Sequence, residues 1–191
     1  MQIGLFPGSF NPIHLGHLII AQYFINHYPL DQIWFVISPQ NPLKKRSGLV
    51  DFDHRMKMVE LSIAQSKEMI ASDIELKLPL PSYTIHTLDY LKENFPEHAF
   101  SLILGLDNYE GFNRWKSHDR IIQENKIYLY PREGIKLPEN LSSPNFILTQ
   151  APEMGISSTG IRKDILEKKN IRFLVTDSVQ EYILSHKLYQ S

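Results

Sequence analysis

Short continuous apolar runs alternate along this chain with longer stretches whose apolar positions recur at helical spacing. Residues 3–6, 33–37, 100–104, 126–130 and 146–149 read as strands, and 69–74 as a weaker one. The runs lack polar alternation, as expected of strands covered on both faces. Between them the pattern predicts a helix from the region of His14 to His17 up to Tyr28 and Pro29, and another opened by Asp51 as cap and continuing through Ile63. A third is predicted over 84–94 with Thr84 as its cap, a helical turn at Ile121 and Ile122, and two closing helices, one near Ser158 and one over 178–185. Strand–helix alternation implies right-handed βαβ units: an α/β, doubly wound, mostly parallel sheet flanked by helices. Such a sheet binds its ligands at the carboxyl ends of its strands.

No repeat, low-complexity tract or linker interrupts the pattern, so 191 residues are expected to form a single domain over 1–191. A hydrophobic content of 42% and a charged content of 21% suit a globular chain with a good core. The net charge of −1 gives no general attraction to nucleic acid or to an anionic membrane, so any positive site must be local. The absence of cysteine excludes disulfides and thiolate chemistry and fits a reducing compartment. No basic segment with a long apolar run opens the chain, and no run approaches the roughly 18 apolar residues of a membrane span. The expectation is a cytoplasmic enzyme or binding protein.

The candidate chemistry sits after strands and at helix starts. Gly8, Ser9, Phe10, Asn11 and Pro12 follow the first strand, and His14, Gly16 and His17 stand at the next helix start. Backbone N–H groups and the helix dipole favour an anion there, and glycine lets the backbone approach it. The same imidazoles could be plain loop residues, or two ligands of a zinc site, although no cysteine exists to complete a Cys/His set. Gly155, Ile156, Ser157, Ser158, Thr159 and Arg162 mark the start of a late helix, where the hydroxyls serve either as caps or as phosphate donors. Lys44, Lys45 and Arg46 are a solvated loop or a set of cations facing phosphates, and His54 and Arg55 either anchor that loop or touch substrate. Pro81, Ser82, Tyr83 and Thr84 form a proline turn; Gly105, Asp107 and Asn108 end the fourth strand; Trp115 lies in a polar stretch; Arg132 follows the fifth strand.

The run GSFNPIHLGHL at 8–18, with ISSTGIR at 156–162, resembles the HxGH and ISSTxIR signatures of the nucleotidyltransferase superfamily. With NPLK at 41–44, PSYTIHTL at 81–88, GLDN at 105–108 and the following Trp115, the chain is most similar to the bacterial nicotinate mononucleotide adenylyltransferases. His86 stands where that family often has Asp, and Leu106 where it has a small residue. The resemblance implies a Rossmann-like fold and transfer of AMP from ATP to nicotinate mononucleotide, with Mg²⁺ carried in on ATP and no protein metal site. It implies that His14, His17, Lys44 and Arg162 carry catalysis. ATP would be met by Gly8, Ser9, Phe10, His14, Gly16, His17, Gly105, Asp107, Arg132, Ile156, Ser157, Ser158, Thr159 and Arg162. The mononucleotide would be met by Ser9, Asn11, Lys44, Ser82, Tyr83, Thr84 and Trp115, with backbone N–H groups of Tyr83 and Thr84 taking the nicotinate carboxylate. The competing readings are a sibling adenylyltransferase acting on phosphopantetheine or FMN, and a catalytically silent nucleotide-binding regulator. The sequence leaves a homo-oligomer open.

Overall fold

The strand and helix patterns fold as a six-stranded sheet in the order β3-β2-β1-β4-β5-β6, every neighbouring pair parallel. The computed structural model describes residues 1–39 and 48–190. Lys44, expected at the phosphates, lies outside the described residues. The strands are β1 (Gln2–Gly8), β2 (Gln32–Ile37), β3 (Met69–Ser72), β4 (Ala99–Gly105), β5 (Lys126–Tyr130) and β6 (Phe146–Leu148). The helices are α1 (Leu15–His27), α2 (Phe52–Ile63), α3 (Thr84–Asn94), α4 (His118–Glu124), α5 (Ser158–Leu166) and α6 (Asp177–Ser185).

Parallel neighbours need crossover helices, and those helices cover both faces of the sheet. One apolar cluster joins Phe6, Phe24, Phe35, Met58, Ile161 and Val179 from strands β1 and β2 and helices α1, α2, α5 and α6. The other joins Leu5, Leu88, Leu91, Leu102, Leu104 and Leu129, with α3 and α4 on that side. Strand residues therefore point into a core whichever way they face, which is why the runs in 33–37 and 100–104 are apolar without alternation. β1 pairs with β2 on one side and β4 on the other, and the chain's direction of winding changes between β1 and β4. In open parallel sheets ligands bind at that switch, beyond the carboxyl ends of the strands.

The expected elements are present, with shifted ends. The sheet is wholly parallel among the described residues rather than mostly so. β3 stops at Ser72, and Ile74, expected at its end, begins a 3-10 turn over Ile74–Lys77. Tyr83 rather than Thr84 is the cap of α3, because Tyr83 keeps the extended backbone that precedes a helix (φ −111°, ψ 134°). Asp51 caps α2 by position, without a side-chain hydrogen bond. Thr149 lies past β6, yet its backbone N–H and its hydroxyl both donate to the Leu129 carbonyl, at 2.9 and 3.0 Å.

Candidate active site

The loop between β1 and α1 brings the two imidazoles together at the switch point. His14 is the cap of α1 and His17 lies one turn in, so their rings stack with centroids 3.7 Å apart. The His14 backbone N–H donates to His17 Nδ1 at 3.2 Å. An imidazole whose Nδ1 accepts a hydrogen bond carries its proton on Nε2 when neutral. Burial, reinforced by the other imidazole and by Arg132, holds His17 well below the usual histidine range. Burial first and Arg132 second lower His14 to about 4. Both rings are therefore neutral at pH 7, and His17 presents an N–H donor. His14 Nδ1 is buried without a partner. Gly16 makes room for this ring: a Cβ there would stand 3.0 Å from His14 Nδ1.

Arg132 and Met154 close a small cavity over the histidines, of about 10 Å³, lined also by Phe6, Gly16 and Ile156. That volume holds about one water-sized sphere. A larger groove of about 490 Å³ runs beside Tyr109, Phe112, His118 and Phe146. It contains none of the residues expected to carry chemistry, so chemistry rather than volume marks the site. Arg132 Nε pairs with Asp107 Oδ1 at 3.3 Å. A Cβ on Gly105 would press on the Asp107 carboxylate and the Arg132 side chain, so this pair lies close over the end of β4. Leu106 is buried in the second core, so its bulk is absorbed by packing.

The start of α5 docks against the same loop. Ser157 caps the helix, its hydroxyl accepting from the Gly160 N–H at 3.1 Å. Ser158 donates to the Pro12 carbonyl at 2.9 Å, and Arg162 Nη1 donates to the Asn11 carbonyl at 2.7 Å while Nη2 reaches Thr159 Oγ1 at 3.3 Å. Ser157 thus serves as the helix cap, while Ser158 and Arg162 bind the β1–α1 loop.

Several expected contacts are turned inward. The Phe10 ring is buried against Phe6, Phe35 and His17, which leaves only its backbone for a ligand. Asn11 is also buried, its Nδ2 donating to the Gly48 carbonyl at 2.7 Å and its Oδ1 accepting from the Val50 N–H at 3.3 Å. The Ser9 carbonyl accepts from Arg55 Nη1 at 2.8 Å. Ser82 is buried beneath its turn. Trp115 is half-buried and stacked on Phe112, centroids 4.8 Å apart.

Four further residues shape the site. Arg55, 1% exposed, ties the loops after β1 and β2 together through the carbonyls of Ser9, Ser38, Pro39 and Val50. It is an anchor; His54 instead meets Tyr182 Oη at 2.9 Å. Glu75, 5% exposed, lies under the turn at Ser82, and burial pushes its carboxyl above the usual range. The hydroxyls of Ser82, Ser38 and Thr87 gather round it. Thr87 Oγ1 donates to Oε1 at 3.5 Å, whereas Oε2 and Ser82 Oγ make no hydrogen bond of ordinary geometry. Lys116 Nζ stands 4.9 Å over the Tyr83 ring and 3.1 Å from His86 Nε2. Tyr189, in the tail, reaches Asn11. Sequence pattern marked Arg55 as an anchor or a contact; a buried carboxylate, a lone lysine and a distant tyrosine give no local signal.

The sequence pattern described as cytidylyltransferase-like matches residues 5–164. A relative from Cytophaga hutchinsonii named "Probable nicotinate-nucleotide adenylyltransferase" is 45% identical over the full length of both chains. One of the same name from Flavobacterium johnsoniae is 47% identical, also over the full length of both. Among solved structures, the Plasmodium falciparum nicotinic acid mononucleotide adenylyltransferase complexed with NaAD superposes with a TM-score of 0.84 at 25% identity, covering 98% of this chain and 97% of that one. With its stacked histidines, its α5 start and its full-length likeness to these proteins, the chain belongs to the cytidylyltransferase-like family, among the nicotinate-nucleotide adenylyltransferases.

Proposed function

We propose that this chain transfers AMP from MgATP to nicotinate mononucleotide, giving nicotinic acid adenine dinucleotide and pyrophosphate. The observation that carries the reading is the convergence of His14 and His17 with Ser158 and Arg162 on the β1–α1 loop. In the reaction an oxygen of the mononucleotide phosphate attacks the α-phosphorus of ATP. A new P–O bond forms there as the bond to the pyrophosphate oxygen breaks. That phosphate is already ionised at pH 7, so the attack needs no general base. The protein's share is in-line positioning and neutralisation of growing negative charge.

His17, with its proton on Nε2, donates to an α-phosphate oxygen, and His14 assists at the phosphates. Arg162 and Thr159 meet the triphosphate, and Lys44 supplies a further cation. Asp107 stands by the nucleotide ribose, and Arg132 lies near the nucleotide. The Tyr83 and Thr84 N–H groups at the start of α3 receive the nicotinate carboxylate, and Trp115 offers a ring face to the pyridine. Mg²⁺ would come bound to ATP, held by waters and substrate phosphates rather than by this chain, and would neutralise charge there. The donors gathered at the site, imidazole N–H, guanidinium and amide, match phosphate oxygens rather than a cation. Among the described residues no set of three or more His, Asp or Glu converges as metal ligands.

Incubation with MgATP and, separately, nicotinate mononucleotide, phosphopantetheine and FMN tests the acceptor. The reading predicts a dinucleotide only with the first. Product with phosphopantetheine or FMN would make the chain a sibling enzyme, and ATP binding without any product would make it a silent regulator.

A further inference from the structure

The carboxyl-terminal tail has no part in the scheme above, yet it reaches the site. Past α6 the chain turns on two non-glycine residues of positive φ, Lys187 at 52° and Tyr189 at 63°. That region is unfavourable for a residue with a Cβ, and a bulky aromatic seldom occupies it. Leu188, between them, is buried in the core beside α6 and pins the tail. The conformation delivers the Tyr189 hydroxyl to Asn11 Oδ1 at 2.9 Å, across almost the whole length of the chain. Arg55 and Arg162 flank the phenol, and burial keeps it protonated and hence a donor.

Asn11 is a junction. Its Nδ2 donates to the Gly48 carbonyl at 2.7 Å, its Oδ1 takes the Val50 N–H at 3.3 Å, and its own carbonyl holds Arg162 at 2.7 Å. A carboxamide can face either way until its partners decide. Tyr189 and the Val50 N–H, both donors, place the oxygen on their side and so turn the amino group toward Gly48. The bond therefore fixes the loop that bears His14 and His17, the guanidinium of Arg162 and the chain at 48–50 as one unit.

We infer that Tyr189 is a positioning residue for adenylyl transfer: its hydroxyl orients the Asn11 carboxamide and thereby sets Arg162 and residues 48–50 relative to the two histidines. This rests on the adenylyltransferase reading. Arg162 and the histidines act where charge moves in the transition state, so misplacing them lowers kcat more than it raises KM.

Tyr189→Phe keeps the ring, its packing and the course of the tail while removing the donor. The expected result is a fall in kcat of about fivefold, the worth of one intramolecular hydrogen bond. KM for both substrates should stay within about twofold. Amide hydrogen exchange at Val50 should quicken, since its acceptor is no longer fixed. A tail with a merely structural role would lower Tm and leave kcat at 25 °C unchanged, which overturns the inference. Unchanged kcat with unchanged Val50 exchange overturns it as well. If the parent chain makes no dinucleotide at all, it is the reaction reading that fails, and the exchange measurement still decides whether Tyr189 orders the loop.

Discussion

A backbone amide decides what His17 can do. By donating to Nδ1, the His14 N–H leaves the His17 proton on Nε2, and burial keeps the ring from taking a second one. The site thus holds a neutral donor in place before any phosphate arrives, which avoids reorganisation during the reaction. His17→Ala should lower kcat by about 100-fold or more, the usual loss for one transition-state donor, with the circular dichroism of the parent at 25 °C. Near-normal turnover in the folded variant would remove His17 from the chemistry. That the two histidines and Arg162 meet at one loop was legible from the resemblance of their motifs to the superfamily signatures. The burial of Arg55 was not, because a guanidinium ordinarily belongs in water and enters the interior only where carbonyls are arranged to receive it. Asn11 was legible as part of the motif, while its inward aim became clear only from its partners at Gly48, Val50 and Tyr189.

Among the elements, β2, β4 and β5 followed directly from continuous apolar runs, since strands covered on both faces carry no competing pattern. The 3-10 turns over Ile74–Lys77, Leu106–Asn108 and Phe112–Arg114 did not, because three or four residues are too few to display a period. The first of these turns places Glu75 under the start of α3, among hydroxyls that solvate it only in part. Its raised carboxyl pKa means that folding favours the protonated form, so the contribution to stability is full below the ordinary carboxyl range and is lost as pH rises through the folded value. Glu75→Gln keeps the shape and removes the buried charge. The variant should melt above the parent at pH 8, by about 2–4 °C for each kcal/mol gained. The gap should close as pH falls below about 4.5, where the carboxyl is neutral in folded and unfolded chains alike. A lower melting temperature at pH 8 would mean that the ionised carboxylate is held favourably by Ser38, Ser82 and Thr87.

For the whole molecule, the strand order matters more than any single motif. By reversing its winding between β1 and β4, the chain brings a loop at 8–14, a turn at 105–108 and the start of α5 to one sheet edge. A chain of net charge −1 can then set Arg132, itself paired with Asp107, beside two neutral imidazoles, and hold Arg162 on the loop that bears them. The alternation of patterns made the sheet legible, and motif order placed the site at its carboxyl edge. The tail was illegible because its contact with Asn11 joins opposite ends of the chain, which no local pattern encodes.

In this reading the edge adenylylates the acid form of a pyridine mononucleotide. Its most direct test is pyrophosphate release from MgATP, comparing kcat/KM for nicotinate mononucleotide with that for the amide. Strong preference for the acid is expected, since the first N–H groups of a helix such as α3 have no intrahelical acceptors and suit a carboxylate. Equal use of both would discard Tyr83 and Thr84 as the readers of that group, and release with neither would contradict the account.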